Sequence, residues 1–283
     1  MTRVLVTGGT GFVGGALCSL LRADGHDVTA LVRPGAATER LERLGVRIVP
    51  VVSSADVRRI AMDVRPETVF HVAAYFSRHP AGSELDRYID ANISLGTHLL
   101  EGLEPGTVFV LVSSYFQYRG GKPHPHSIYA ATKQAFVEIG AYYRALRGID
   151  VREVVLFDNY GPDDTRDKLV PQLAAALAGE GRIDLGPSRQ RIDLLHVDDV
   201  ARGIAAAAVP GNPAVMVVRA ESLVTVGDIA KFAQSAGRLE VNFNESRSPS
   251  DLAESPVPWP APRGWSPARP LAEGLRELFD LGA

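Results

Sequence analysis

The stretch RVLVTGGTGFVGGALCSLLRADG, residues 3–25, decides how the rest of the chain is read. Val4 to Val6 is a short apolar run that ends on Thr7-Gly8-Gly9-Thr10-Gly11. Phe12 to Leu21 continues with helical spacing (Phe12, Ala16, Leu20), and Gly25 closes it. Gly8, Gly11 and Gly14 stand three residues apart between that strand and that helix. A tight turn there exposes backbone N–H groups at a helix N-terminus, where a pyrophosphate can sit with no side chain in the way. A glycine triplet alone is weak evidence; the strand before it and the helix after it give it meaning. Thr10, Phe12 and Val13 fall within the same expected cofactor-binding turn.

Outward from this unit the pattern repeats. Further strands are expected at Val28–Val32, Arg47–Val52, Thr68–Val72, Val108–Val112 and Val151–Leu156, with amphipathic helical segments between them. Short apolar strands separated by helix-length stretches imply right-handed crossovers and a parallel sheet covered on both faces. The fold class is therefore α/β, a doubly wound parallel sheet with a smaller C-terminal α/β lobe. The dinucleotide-binding domain is expected at 1–160, also receiving 192–218, and the substrate lobe at 161–191 and 219–283. Within that lobe, Ser246–Pro270, rich in proline and serine and holding Trp259 and Trp265, reads as an ordered loop.

The end of the second strand reports on the cofactor. An NAD site places Asp or Glu there to accept from the ribose 2′-hydroxyl. This chain has Arg33, and the next acid is Glu39. A guanidinium suits a 2′-phosphate through a bidentate, charge-assisted contact, so NADP(H) is the expected cofactor.

Tyr129-Ala130-Ala131-Thr132-Lys133 opens the long helical segment 130–146, and its i, i+4 spacing puts Tyr129 and Lys133 on one face. An unperturbed phenol titrates near 10. An ammonium about 5 Å away at an effective dielectric near 20 contributes roughly 3 kcal/mol, or about two pKa units. Ser114 ends the fifth strand, where a parallel sheet presents ligands, and can hydrogen-bond a reacting oxygen. His71 reads as a packed strand residue, and Ser77 to Leu85 as a loop above the strand ends, able to act as a lid.

Composition bounds the alternatives. At 283 residues the chain is about twice a ~150-residue domain. Its 30 basic and 33 acidic side chains leave a net charge of −3, with no broad basic field for nucleic acid. Cys18 is the sole cysteine, which excludes disulfides within the chain and cysteine-based metal sites. His124 and His126 flank Pro125 without a third ligand, so no metal is expected. No apolar stretch is long enough to cross a bilayer, and the opening MTRVLVTGG reads as a strand rather than a signal peptide. The expectation is a cytoplasmic enzyme with neither nucleic-acid nor membrane partners.

The chain resembles the extended short-chain dehydrogenase/reductases that act on nucleotide sugars, within the NAD-dependent epimerase/dehydratase family. The segments that carry the likeness are TGGTGFVG (7–14), FHVAAY (70–75), Asn92, LVSSYFQYRG (111–120), YAATK (129–133), NYGP (159–162), LLHVDDVARGI (194–204) and GWSPARPLAEGL (264–275). The resemblance implies Ser114, Tyr129 and Lys133 as the catalytic trio, with Asn92 supporting the helix. It implies further cofactor contacts at Val72, Ala73, Ala74, Val112 and Leu156, and a second lobe that binds a nucleoside diphosphate sugar. It also implies a homodimer through residues 86–103 and 128–146, packed as a four-helix bundle.

Departures narrow the reading. The acidic pair that dehydratases of this family carry after the serine is replaced by Tyr115 and Phe116, which cannot protonate a leaving hydroxyl. The cysteine of the epimerase/reductases is absent there, and the family's usual arginine before the second-lobe strand is Ile192. LFDNYGPDDTRDKLVP followed by RQRIDLLHVDD looks like the 4-keto-6-deoxysugar reductases of the CDP-abequose synthase type. On that likeness Asn159, Arg166, Lys168 and Arg191 are candidates for substrate contact, with Tyr75, Ser114, Tyr115 and Phe116 lining the sugar pocket. The expected activity is NADPH-dependent reduction of a nucleoside diphosphate 4-keto-6-deoxyhexose. The alternatives are an NAD-retaining nucleotide-sugar 4-epimerase, which Arg33 opposes, and a non-catalytic NADP-binding sensor, which the intact Tyr129/Lys133 pair opposes.

Overall fold

A computed structural model describes residues 1–77 and 81–280, and the chain forms two compact units. The first comprises Met1–Leu156, Ala201–Val218 and Val257–Trp265; the second comprises Phe157–Val200, Arg219–Pro256 and Ser266–Ala283.

The first unit is built on seven strands: β1 (Arg3–Thr7), β2 (Asp27–Val32), β3 (Arg47–Pro50), β4 (Thr68–His71), β5 (Val108–Ser114), β6 (Asp150–Leu156) and β7 (Val215–Val218). Their order is β7-β6-β5-β4-β1-β2-β3, and every pairing is parallel. The chain starts in the middle of the sheet, winds outward to β3, crosses to β4 and winds outward again. This is the expected doubly wound sheet. Leu5, Val69, Phe109, Leu111, Phe136, Ile149 and Val151 form its core, as continuous apolar strands buried on both faces require.

The helices are α1 (Phe12–Ala23), α2 (Glu39–Arg43), α3 (Val57–Val64), α4 (Leu85–Ile89), α5 (Leu95–Glu101) and α6 (Ile128–Arg147). A π-helical turn, Asp90–Ser94, joins α4 to α5. Ser127 starts α6 by accepting the Ala130 N–H at 3.2 Å, and Gly148, at φ 66°, ends it. The chain leaves β1 and β4 toward opposite sides, which opens a crevice at their carboxyl ends.

Two boundaries differ from expectation. Residues 257–265, assigned from sequence to the substrate lobe, belong to the first unit, so Ser246–Pro270 is not one loop over the second. The cause is the edge of the sheet. Val217 on β7 donates its N–H to the Pro260 carbonyl at 2.9 Å. Trp259 meets Tyr118 edge-on at 4.7 Å, and a Cβ on Gly203 would lie 3.1 Å from Trp265. Conversely, residues 157–160 and 192–200 belong to the second unit, because Leu194–His196 pairs in parallel with Asp158–Tyr160 just beyond β6. That unit also pairs Arg182–Leu185 with Glu240–Phe243 and packs around Tyr160, Leu173, Ile229, Ala230 and Leu275. Among the described residues no helix is long and apolar enough to cross a membrane.

Candidate active site

The glycine turn between β1 and α1 leaves no room for side chains. Gly8 has φ 74°, and a Cβ on it would lie 2.8 Å from the Ala73 nitrogen; a Cβ on Gly14 would lie 2.1 Å from the Gly8 oxygen. Ala73 donates its N–H to Thr7 Oγ1 at 3.2 Å, and Thr7 Oγ1 also lies 3.0 Å from His71 Nδ1, so the ends of β1 and β4 are tied together. Gly11 starts α1 with no side chain capping it. A pyrophosphate fits a backbone cradle of this kind, with Thr10, Phe12 and Val13 in the turn and Val72, Ala73 and Ala74 following β4.

Arg33 follows β2 and is exposed. A second guanidinium, which the sequence reading missed, belongs to Arg40. It reaches from α2 across α1 until a Cβ on Gly15 would lie 3.1 Å from its Nη1. The signal in the sequence was Gly15 itself, a glycine inside a helix with no turn to make.

The helix α6 carries Tyr129 and Lys133 one turn apart. Lys133 is buried and donates from Nζ to the Val112 carbonyl of β5 at 2.5 Å. Burial pushes its pKa down from 10.5 to about 8, with Glu153 pulling the other way. His71 is also buried, between the rings of Phe109 and Phe136, and burial followed by the nearby Lys133 charge takes it down to about 3, so it is neutral. Ser114 closes β5: its N–H donates to Gln117 Oε1 at 2.9 Å and its Oγ accepts the Phe116 N–H at 3.3 Å. Asn92, inside the π-helical turn, accepts the Tyr75 N–H at 2.7 Å. It donates to the Tyr75 carbonyl at 3.1 Å and to Thr132 Oγ1 at 3.0 Å, which ties the segment after β4 to the residue preceding Lys133. π-turns recur at functional sites because they redirect one side chain out of register. Leu156 is buried at the end of β6.

The aromatic residues are placed differently from expectation. The Tyr75 hydroxyl donates to Glu84, Arg87 stacks over its ring at 4.3 Å and Tyr88 meets it edge-on at 4.9 Å, so its side chain serves packing. Phe76, one residue on, stands instead against Tyr129, edge-on at 5.1 Å. Tyr115 is buried under Phe116, whose ring meets His126 edge-on at 5.5 Å. The expected lid at 77–85 includes residues 78–80, which lie outside the described residues; Gly82–Glu84 is a short 3₁₀ turn.

The remaining candidates lie in the second unit. Asn159 Oδ1 accepts from Arg166 Nη2 at 2.8 Å, and Arg166 also donates from Nε to Asp164 at 2.7 Å. Lys168 pairs with Asp158 at 3.1 Å. Arg191 pairs with Glu254 at 3.3 Å, and the two side chains are 49% and 41% exposed, which makes this a solvated surface pair. Arg219, unnoticed in the sequence, is held by the buried Asp193 at 2.8 Å and lies 4.5 Å over the Phe157 ring. Burial raises the Asp193 pKa to about 6.

The profile of the family described as NAD dependent epimerase/dehydratase matches residues 4–218. CDP-abequose synthase from Salmonella muenchen is 27% identical over 212 residues, covering 70% of this chain and 67% of its own. UDP-glucuronate 4-epimerase 1 from Arabidopsis thaliana is 30% identical over 71% of this chain and 53% of its own. Among solved structures, an NAD dependent NDP-hexosamine 5,6-dehydratase of tunicamycin biosynthesis, TunA, superimposes with a TM-score of 0.80 at 26% identity, covering 99% of this chain and 97% of its own.

Proposed function

This chain belongs to the NAD dependent epimerase/dehydratase family, and from that membership we propose that it is an NADPH-dependent ketoreductase acting on a nucleoside diphosphate 4-keto-6-deoxyhexose. With the cofactor's pyrophosphate held at the glycine turn, its reduced nicotinamide would supply the hydride. The residues of the chain supply the rest. Ser114 donates a hydrogen bond from Oγ to the keto oxygen, and Tyr129 passes its hydroxyl proton to that same oxygen. Lys133, an ammonium ion at neutral pH with its pKa at about 8, stabilises the phenolate that Tyr129 leaves behind. Asn92 fixes the helix that presents both.

The observation that carries NADPH over NAD is Arg33 past β2, where an NAD site would hold a carboxylate, joined by a second guanidinium, Arg40, against Gly15 of α1. A reductase is favoured over a dehydratase because Tyr115, buried, and Phe116 follow the serine in place of the acidic pair that dehydratases of this family carry. The likeness to CDP-abequose synthase supports a 4-keto sugar. The 30% likeness to a 4-epimerase supports the second reading, an enzyme that retains NAD and inverts a hydroxyl without net redox change. NADPH oxidation against TDP-, CDP- and GDP-linked 4-keto-6-deoxyhexoses, with NMR of the product, separates the two. Tightly held NAD, with sugar inversion and no NADPH consumed, would establish the epimerase instead.

The same reading includes a homodimer. Leu85 and Ile89 on α4 and Tyr142 and Leu146 on α6 are exposed apolar side chains, 40–70% accessible. Ile89, Tyr142 and Leu146 lie on the segments expected to pack as a four-helix bundle, 86–103 and 128–146, with Leu85 one residue before the first, which supports that assembly.

A further inference from the structure

Glu153 is a carboxylic acid inside the layer where β6 packs beneath α6, and the reaction derived above gives it nothing to do. It is only 5% exposed, and an ion there is tolerated only when hydrogen bonds and opposite charges answer it. The other buried ion of this strand, Arg152, is answered by Asp150 and by the carbonyls of Ala207 and Val209. Glu153 is answered differently. Its Oε1 accepts the Ser113 hydroxyl at 2.5 Å and the Tyr118 hydroxyl at 2.6 Å. Ser113 is the residue before Ser114, and Tyr118 follows the 3₁₀ turn Tyr115–Gln117, so the two donors bracket the turn that carries Ser114.

The charges around this carboxylate come from α6. Lys133 and Arg144 both favour its ionised form, against the upward push of burial. Glu138, on the same helix, adds an acidic charge near Tyr118. His71 lies beside Lys133 but is neutral. Among the described residues no carboxylate is bonded to Lys133, which donates to the Val112 carbonyl.

We propose that Glu153 is a positioning residue for the ketoreductase: its buried carboxylate clamps the turn bearing Ser114 and is the countercharge that keeps Lys133 an ammonium ion. The catalytic meaning rests on the function proposed above; the coupling of Glu153 to Lys133 does not.

The test follows Lys133 directly. Full-length protein carrying ¹³C at lysine Cε is titrated by NMR, with the Lys133 resonance assigned by its loss in Lys133→Met. In Glu153→Gln the Lys133 midpoint should fall by about one pH unit. The alkaline limb of kcat for keto-sugar reduction should fall with it, while the KM for NADPH stays within about twofold. Glu153→Asp keeps the charge and withdraws the oxygen from Ser113 and Tyr118; it should leave the Lys133 midpoint in place and lower kcat. Should Glu153→Gln not fold, Ser113→Ala removes one donor to the carboxylate and keeps its charge; it should lower kcat and not lower the Lys133 midpoint. An unchanged Lys133 midpoint in Glu153→Gln, or an unchanged kcat in Ser113→Ala, overturns the proposal. A shifted midpoint in a protein inactive on every keto sugar upholds the coupling and refutes the reductase.

Discussion

Replacing Arg40 by serine should weaken NADPH binding by one to two orders of magnitude and leave NADH nearly untouched. Arg40 is half-buried and lies across Gly15, so its guanidinium is held in place before any ligand arrives. A charge-assisted hydrogen bond to a phosphate is worth about 1.5–3 kcal/mol. At about 1.4 kcal/mol per decade, that is roughly 10- to 150-fold in Kd. Arg33 is exposed, so water and salt screen it, and Arg33→Ser should cost about 1 kcal/mol or less. Gly15→Ser provides a control without touching either charge. Its Cβ would stand 3.1 Å from Nη1 and push the guanidinium aside, so NADPH should weaken again while NADH holds. Nicotinamide fluorescence, titrated with each cofactor at low and high salt, reads all three variants. Equal loss for both cofactors in Arg40→Ser would mean that the side chain merely packs α2 on α1. No loss at all would place the 2′-phosphate elsewhere.

Tyr129→Phe should lower kcat by about 10²- to 10⁴-fold while fluorescence titration still shows NADPH binding; retained turnover would remove Tyr129 from the proton step. His71 titrates near 6.5 when unfolded and at about 3 in the native state. Between those values only the unfolded chain gains the proton, so the stabilisation is complete above pH 6.5 and is lost as pH falls toward 3. His71→Phe, which keeps a ring against Phe109 and Phe136, should lose about 3 kcal/mol less than the parent between pH 6.5 and 4 in urea unfolding. Tyr142→Asp with Leu146→Glu should convert a dimer to a monomer in sedimentation velocity, with the far-ultraviolet circular dichroism spectrum unchanged.

What could be read without coordinates was local. The run from Val4 to Gly14 states strand, turn and helix within one stretch, and the order of short apolar runs after it implies a parallel sheet. Tyr129 and Lys133 share a helix face because four residues always do. What escaped depends on distant approach. Arg40 sits in a charged segment that reads as solvated until α2 is laid over Gly15. Tyr75 reads as a pocket wall in the sequence; only coordinates show Glu84 and Arg87 engaging its side chain while Phe76, one residue on, meets Tyr129. Glu153 stands in a strand between Arg152 and the apolar pair Val154 and Val155, and its partners come from forty and thirty-five residues away. The break at Leu156 rather than Tyr160 follows from a three-residue pairing too short to announce itself.

The segment lying along β7 alternates proline with other residues: Pro256, Pro258, Pro260 and Pro262. It accepts the Val217 N–H, yet every second residue of the segment has no amide hydrogen to give. A strand arriving from another molecule finds this border of the sheet already covered, by a segment with half the usual number of amide hydrogens. Trimming the chain before residue 257 would uncover the Val217 amide on a valine-rich border, which thioflavin binding on gentle warming would reveal.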